Sequence, residues 1–77
     1  MHKLRLEDLQ VQDNLRVLEK VKSVDWRLTL MPGEIYRFLA FADGGMNVKL
    51  EHIDEGESTG VILEVKKRDL AFFESVT

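Results

Sequence analysis

Cysteine is absent from the 77 residues of this chain, proline occurs once, and no apolar stretch approaches the length of a membrane span. The first absence removes disulfides, thiolate-held metals and cysteine nucleophiles together, so the fold must stand on packing alone. The second feature matters less than the third: without ~20 consecutive apolar residues there is no transmembrane helix. The opening MHKLRLEDLQ also lacks an apolar core followed by a small-residue cleavage site. These readings lead us to expect a cytoplasmic protein with no membrane association. An excess of positive charge is missing too, with 11 Lys and Arg against 14 Asp and Glu for a net charge of −3, which argues against a general phosphate-backbone binder.

What is present is the composition of an ordinary globular protein, 44% apolar and 32% charged. At this length one domain spans 1–77, and folding buries only ~60% of the surface that the unfolded chain exposes. The longest apolar run, Gly33 to Ala42, is framed by Met31-Pro32-Gly33 and Asp43-Gly44-Gly45 and is followed by an alternating segment from Met46 to Ile53. Turn residues between two such runs define a β-hairpin. With a period of two, Tyr36, Phe38, Ala40 and Ala42 share one face of its first strand and Ile35, Arg37, Leu39 and Phe41 the other. Both faces are mostly apolar, which calls for a bent strand with a cover on its second face, or for a partner there.

Elsewhere the pattern is that of further strands. Leu15, Val17 and Val21 alternate with Arg16, Lys20 and Lys22, interrupted by Leu18 and Glu19, and predict a strand over 14–22. Before it, Leu4, Leu6, Leu9 and Val11 fit a short strand, one helical turn, or both in succession, so residues 1–13 are expected as an N-terminal cover segment. Ser23 to Gly33 forms a long connection carrying Trp26 and Arg27 near its tip and a short extended piece at Leu28-Thr29-Leu30. Residues 54–60, DEGESTG, read as a mobile polar loop. Val61, Leu63 and Val65 then alternate in a fourth strand, Asp69 is placed to cap a short helical turn, and Phe72 to Val76 closes the chain.

Taken in order, a strand, a long connection with its own short pairing, the segment LTLMPGEIYRF, a tight hairpin, a fourth strand, a helical turn at Asp69-Leu70-Ala71 and a last strand resemble the SH3-like barrel. The resemblance covers residues 14–76 and implies an all-β, five-stranded SH3-like barrel with a short 3₁₀ turn before the last strand. Where proline-peptide-binding members carry an ALYDY-type segment, a paired tryptophan and a proline-tyrosine pair, this chain reads LRVLEKV, MNVKLE and KKRDLAFF. The resemblance therefore implies the fold without polyproline recognition, which needs stacked aromatic slots. A five-stranded OB-fold barrel satisfies the same pattern.

Little in the chain points to catalysis. Asp43-Gly44-Gly45-Met46 leads into a strand, whereas a phosphate cradle precedes a helix. His2 and His52 are the only imidazoles, and the polar run His52 to Glu57 matches no metal loop. We therefore expect no enzyme, no cofactor and no metal. The expected function is a small non-catalytic protein-interaction or structural module, meeting a protein partner or a second copy of itself through Trp26, Arg27, Ile35, Leu39 and Phe41. The alternative is a nucleic-acid-binding barrel using Lys66, Lys67 and Arg68, with Arg37 and Lys49 from neighbouring strands.

Overall fold

The computed structural model describes residue 10 and residues 12–76. Most of the expected N-terminal cover segment, including Leu4, Leu6, Leu9 and Val11, lies outside the described residues.

The described residues form seven strands: β1 (Asn14–Val17), β2 (Val21–Lys22), β3 (Thr29–Leu30), β4 (Ile35–Ala42), β5 (Asn47–Asp54), β6 (Glu57–Lys66) and β7 (Phe73–Val76). Five of them make one antiparallel sheet in the order β6-β5-β4-β1-β7, and β2 and β3 pair separately as a small ribbon. The domain is all-β, as the alternation predicted. The sheet does not close into a barrel: its two edges, β6 and β7, are not paired with each other.

The strand expected over 14–22 is two strands. Leu18 is exposed and its N–H turns to the carbonyl of Phe72, while the Val17 N–H reaches Glu34 and the Val17 carbonyl accepts from Gly33. The break falls where Leu18 and Glu19 disturb the alternation, because continuing the strand would have placed Leu18 on the polar face and Glu19 in the core. The short pairing inside the first connection is present, with Val21 opposite Leu30 and Lys22 opposite Thr29.

The expected mobile loop at 54–60 is a correction of a different kind. Only Glu55 and Gly56 lie outside the strands, with φ of 52° and 82°, and positive φ at both central residues is what a two-residue type I′ hairpin turn requires. Residues 57–60 extend the strand instead. Polarity misled the reading here: Ser58 and Thr59 are polar because their hydroxyls bond to Glu51 and to the His52 carbonyl across the hairpin. The 3₁₀ turn before the last strand is present and longer than expected, Lys67–Phe72, with no side-chain cap at its start.

One continuous core forms on one face of the sheet. Leu15, Val17, Tyr36, Phe38, Val48, Leu50, Leu63, Val65 and Phe73 supply it from the sheet, Val21 and Leu30 from the ribbon and Leu70 from the 3₁₀ turn. The alternation of β5 and β6 delivers these residues as cross-strand pairs, Leu50 with Leu63 and Val48 with Val65.

On β4 the simple even-odd division fails after Phe38. The pairing with β5 shifts register between Phe38 and Ala40, so that Phe41 stands opposite the buried Val48 and Ala40 opposite the exposed Lys49. Leu39 is the extra residue of a β-bulge, and every later side chain changes face. Phe41 consequently packs edge-on against Phe38, with ring centroids 5.2 Å apart, and does not share a face with Ile35. Ile35 pairs with Ile53, which is 6% exposed yet belongs to a face separate from the main core, the face that also carries the Arg37–Glu51 pair.

Candidate functional site

The tip of the first connection is built by one serine and one aspartate. Ser23 is buried, and its hydroxyl donates to Asp25 Oδ1 at 2.7 Å while accepting from the Leu28 N–H at 3.1 Å. The same Asp25 oxygen accepts from the Arg27 N–H at 3.0 Å, and the Ser23 carbonyl accepts from Trp26. The Ser23 hydroxyl and the Arg27 amide hold the Asp25 carboxyl below its ordinary value. A Val24 N–H to Glu64 carbonyl bond of 2.8 Å fastens this turn to the edge of β6.

Within this hydrogen-bonded frame Trp26 has a φ of 64° and is 71% exposed. A bulky residue in the left-handed region is strained, and the frame around it is what maintains the conformation. Trp26 therefore does not cover the open end of the core, a role that would have buried it. Arg27 beside it is exposed as well.

The other residues expected at a partner surface are dispersed. Ile35 and Leu39 are half-buried on β4, and Phe41, 44% exposed, has been turned to the core side by the bulge. The sequence grouped these three by period two, and the single residue inserted at Leu39 separates them.

The basic residues are dispersed too. Arg37 is engaged by Glu51 at 3.5 Å on the outer face of β4. Lys49 lines a cavity of about 250 Å³ with Val24, Asp25, Ile62, Leu63 and Glu64. Lys66, Lys67 and Arg68 lie together in a larger groove of about 700 Å³, whose other walls are Val24, the 3₁₀ turn Asp43–Gly45, Met46 and Asn47. Met46 is 71% exposed beside it. The alternating segment expected from Met46 begins one residue later, at Asn47, and the exposed Met46 gives this groove an apolar element. Met46 ends the 3₁₀ turn in a helical conformation, its N–H bonded to the Asp43 carbonyl and its carbonyl to the Lys67 N–H, so it stands outside β5 and its alternation.

His52 is held among neighbours. Its ring lies 4.9 Å from that of Tyr36, its Nδ1 is 3.1 Å from Thr59 Oγ1, and its Nε2 is 3.6 Å from Glu34 Oε2. Among the described residues no three His, Asp or Glu side chains are grouped to hold a metal ion, and no helix is long and apolar enough to cross a membrane.

No protein-family model matches this chain, and neither a curated protein nor a solved structure is similar enough to count as a match.

Proposed function

We propose that the chain is a small non-catalytic protein-interaction module with the strand order of an SH3-like domain, and that Trp26 and Arg27 at the tip of the first connection meet the partner. The order β7-β1-β4-β5-β6, with a short ribbon in the connection from β1 to β4 and a 3₁₀ turn before the last strand, supports the architectural part of this reading.

The observation that carries the functional part is the strained and exposed tryptophan. An exposed Trp on a disordered loop tip would be unremarkable, but here four hydrogen bonds and an anchor to β6 hold it in a conformation that costs free energy and leaves its ring in water. Backbone strain maintained by its surroundings is a feature of binding sites, and Trp with Arg is the composition of binding hot spots. A pre-ordered tip also lowers the entropy lost on association.

The nucleic-acid alternative has less support. Of its five basic residues, Arg37 is paired on one face and Lys49 sits in a different cavity from Lys66, Lys67 and Arg68. No continuous stripe joins them.

The test is affinity capture from native lysate with tagged wild type and Trp26→Ala, with and without nuclease, alongside thermal melts of both proteins. Trp26→Ala is expected to leave the melting temperature within a few degrees, since the removed ring contacts mostly solvent, and to abolish recovery of stoichiometric protein partners. Unchanged recovery would refute the role of the tip. Loss of all captured material on nuclease treatment would favour the nucleic-acid alternative.

A further inference from the structure

We propose that the groove between Val24, the Asp43–Gly45 turn and Lys66–Arg68 receives an extended acidic segment of a partner protein. The proposal rests on the reading of the chain as a protein-interaction module and names the chemistry of what it binds.

Three consecutive cations line the groove against a single carboxylate, Asp43, in a chain whose net charge is −3. Arg68 lies 4.0 Å from Asp69, too far for a charge-assisted hydrogen bond, so its guanidinium donors still face solvent. A local positive wall on an acidic molecule attracts a short acidic ligand without committing the rest of the surface to it.

The Glu64 carbonyl points away from β5, since it accepts from Val24, and residues two apart on a strand point their N–H and C=O groups the same way. Lys66 therefore directs its own N–H and C=O away from β5, toward the side on which Val24, one wall of the groove, meets β6. An extended peptide pairs with the N–H and C=O of this one residue, whereas a sugar-phosphate backbone has no amide to match both.

Met46 is exposed and Val24 half-buried at the groove, and an unbranched thioether adapts to varied side chains. A strand of about six residues spans roughly 20 Å, which compares with the 21 Å short dimension of the domain. Acidic residues alternating with apolar ones would meet the cations and Met46 in turn.

Fluorescence anisotropy provides the test, with a fluorescein-labelled peptide of about six residues alternating glutamate and leucine. The comparison probes are the same peptide with lysine for glutamate and a single-stranded oligonucleotide of equal length. Wild type is expected to bind the acidic peptide at least about tenfold more tightly than either comparison probe. The double variant Lys67→Glu and Arg68→Glu, both residues exposed, should lose at least about tenfold in that affinity, with an unchanged melting temperature. Met46→Ala should weaken binding without altering its salt dependence.

Absence of binding by wild type, equal binding by the double variant, or tighter binding of the oligonucleotide with a steep salt dependence would overturn the proposal. If the groove fails this test while Trp26→Ala still abolishes partner recovery, the interaction module stands and its ligand lies elsewhere. If Trp26→Ala has no effect while the acidic peptide binds as expected, the groove stands and the role of the tip falls.

Discussion

The phenol of Tyr36 offers a direct test of how the core meets the first connection. It lies on β4 opposite Leu15 on one side and His52 on the other, is 4% exposed, and directs its hydroxyl toward Glu34 Oε1 at 3.4 Å. Ionising it would bury a phenolate beside a carboxylate. Burial, and after it the negative charge of Glu34, push its pKa well above the ordinary 10.0.

A group whose protonated form is favoured by folding stabilises the native state fully at low pH. That contribution declines once pH passes the unfolded pKa, because the unfolded chain then releases a proton that the folded chain keeps. The window opens near pH 10, and the loss grows by about 1 kcal/mol for each pH unit above it. Lysines titrate in the same range, so the informative quantity is the difference between wild type and Tyr36→Phe.

The assay is urea unfolding of both proteins from pH 8 to pH 12, with near-ultraviolet phenolate absorbance of the folded protein as a second readout. This is the single tyrosine of the chain, so the absorbance reports Tyr36 alone. At neutral pH the variant should differ by less than ~1 kcal/mol, since the lost hydrogen bond is long. Above pH 10 wild type should weaken relative to the variant by an amount that reaches about 2–3 kcal/mol at pH 12, a midpoint shift of roughly 2 M urea for a domain of this size. Phenolate appearing at its ordinary pH in the folded protein, or parallel stability profiles, would show that Tyr36 is accessible and that the packing of β4 against the core has been misjudged.

Three other expectations follow from the same packing and turn geometry. Leu50→Ala, at a fully buried position opposite Phe38 and Leu63, should cost about 2–5 kcal/mol in chemical denaturation, whereas Ile62→Ala, 55% exposed at the next register position of β6, should cost less than ~1 kcal/mol. Glu55→Asn, which places the favoured Asn-Gly pair where φ is 52° and 82°, should stabilise by about 0.5–1 kcal/mol and raise the melting temperature by a few degrees. Because the Asp25 carboxyl is held below its ordinary 3.8, the ordering of the tip should be complete above that pH and lost as pH falls through the lowered value; amide exchange at Trp26, Arg27 and Leu28 followed by NMR would report it, and Asp25→Ala should show the fast exchange at every pH.

The strands were legible wherever one face is core and the other solvent. β5 and β6 alternate because their neighbours fix the register, and Val48, Leu50, Leu63 and Val65 are buried as the pattern required. The failures sit where a tertiary contact overrode local pattern. Leu39 carries no mark that it is a bulge, since the shift is defined by pairing with β5, and that one residue separates Ile35 from Phe41. Residues 57–60 look like a loop because polarity and glycine suit one, and only the cross-hairpin bonds of Ser58 and Thr59 account for their place in a strand.

The candidate site shows the same division between local and long-range information. Trp26 and Arg27 stood out by residue type alone, but the exposure of the indole depends on Ser23 and Asp25, whose small side chains organise the turn from within three residues of it. Lys66 to Arg68 were visible as a run, while their partners in the groove, Val24 and the glycine turn, come from connections more than twenty residues earlier. A charge run becomes a site only when the topology faces it with something. Here the bond from Val24 to Glu64 sets the first connection against β6, so that Val24 and the Asp43–Gly45 turn line one groove with Lys66, Lys67 and Arg68.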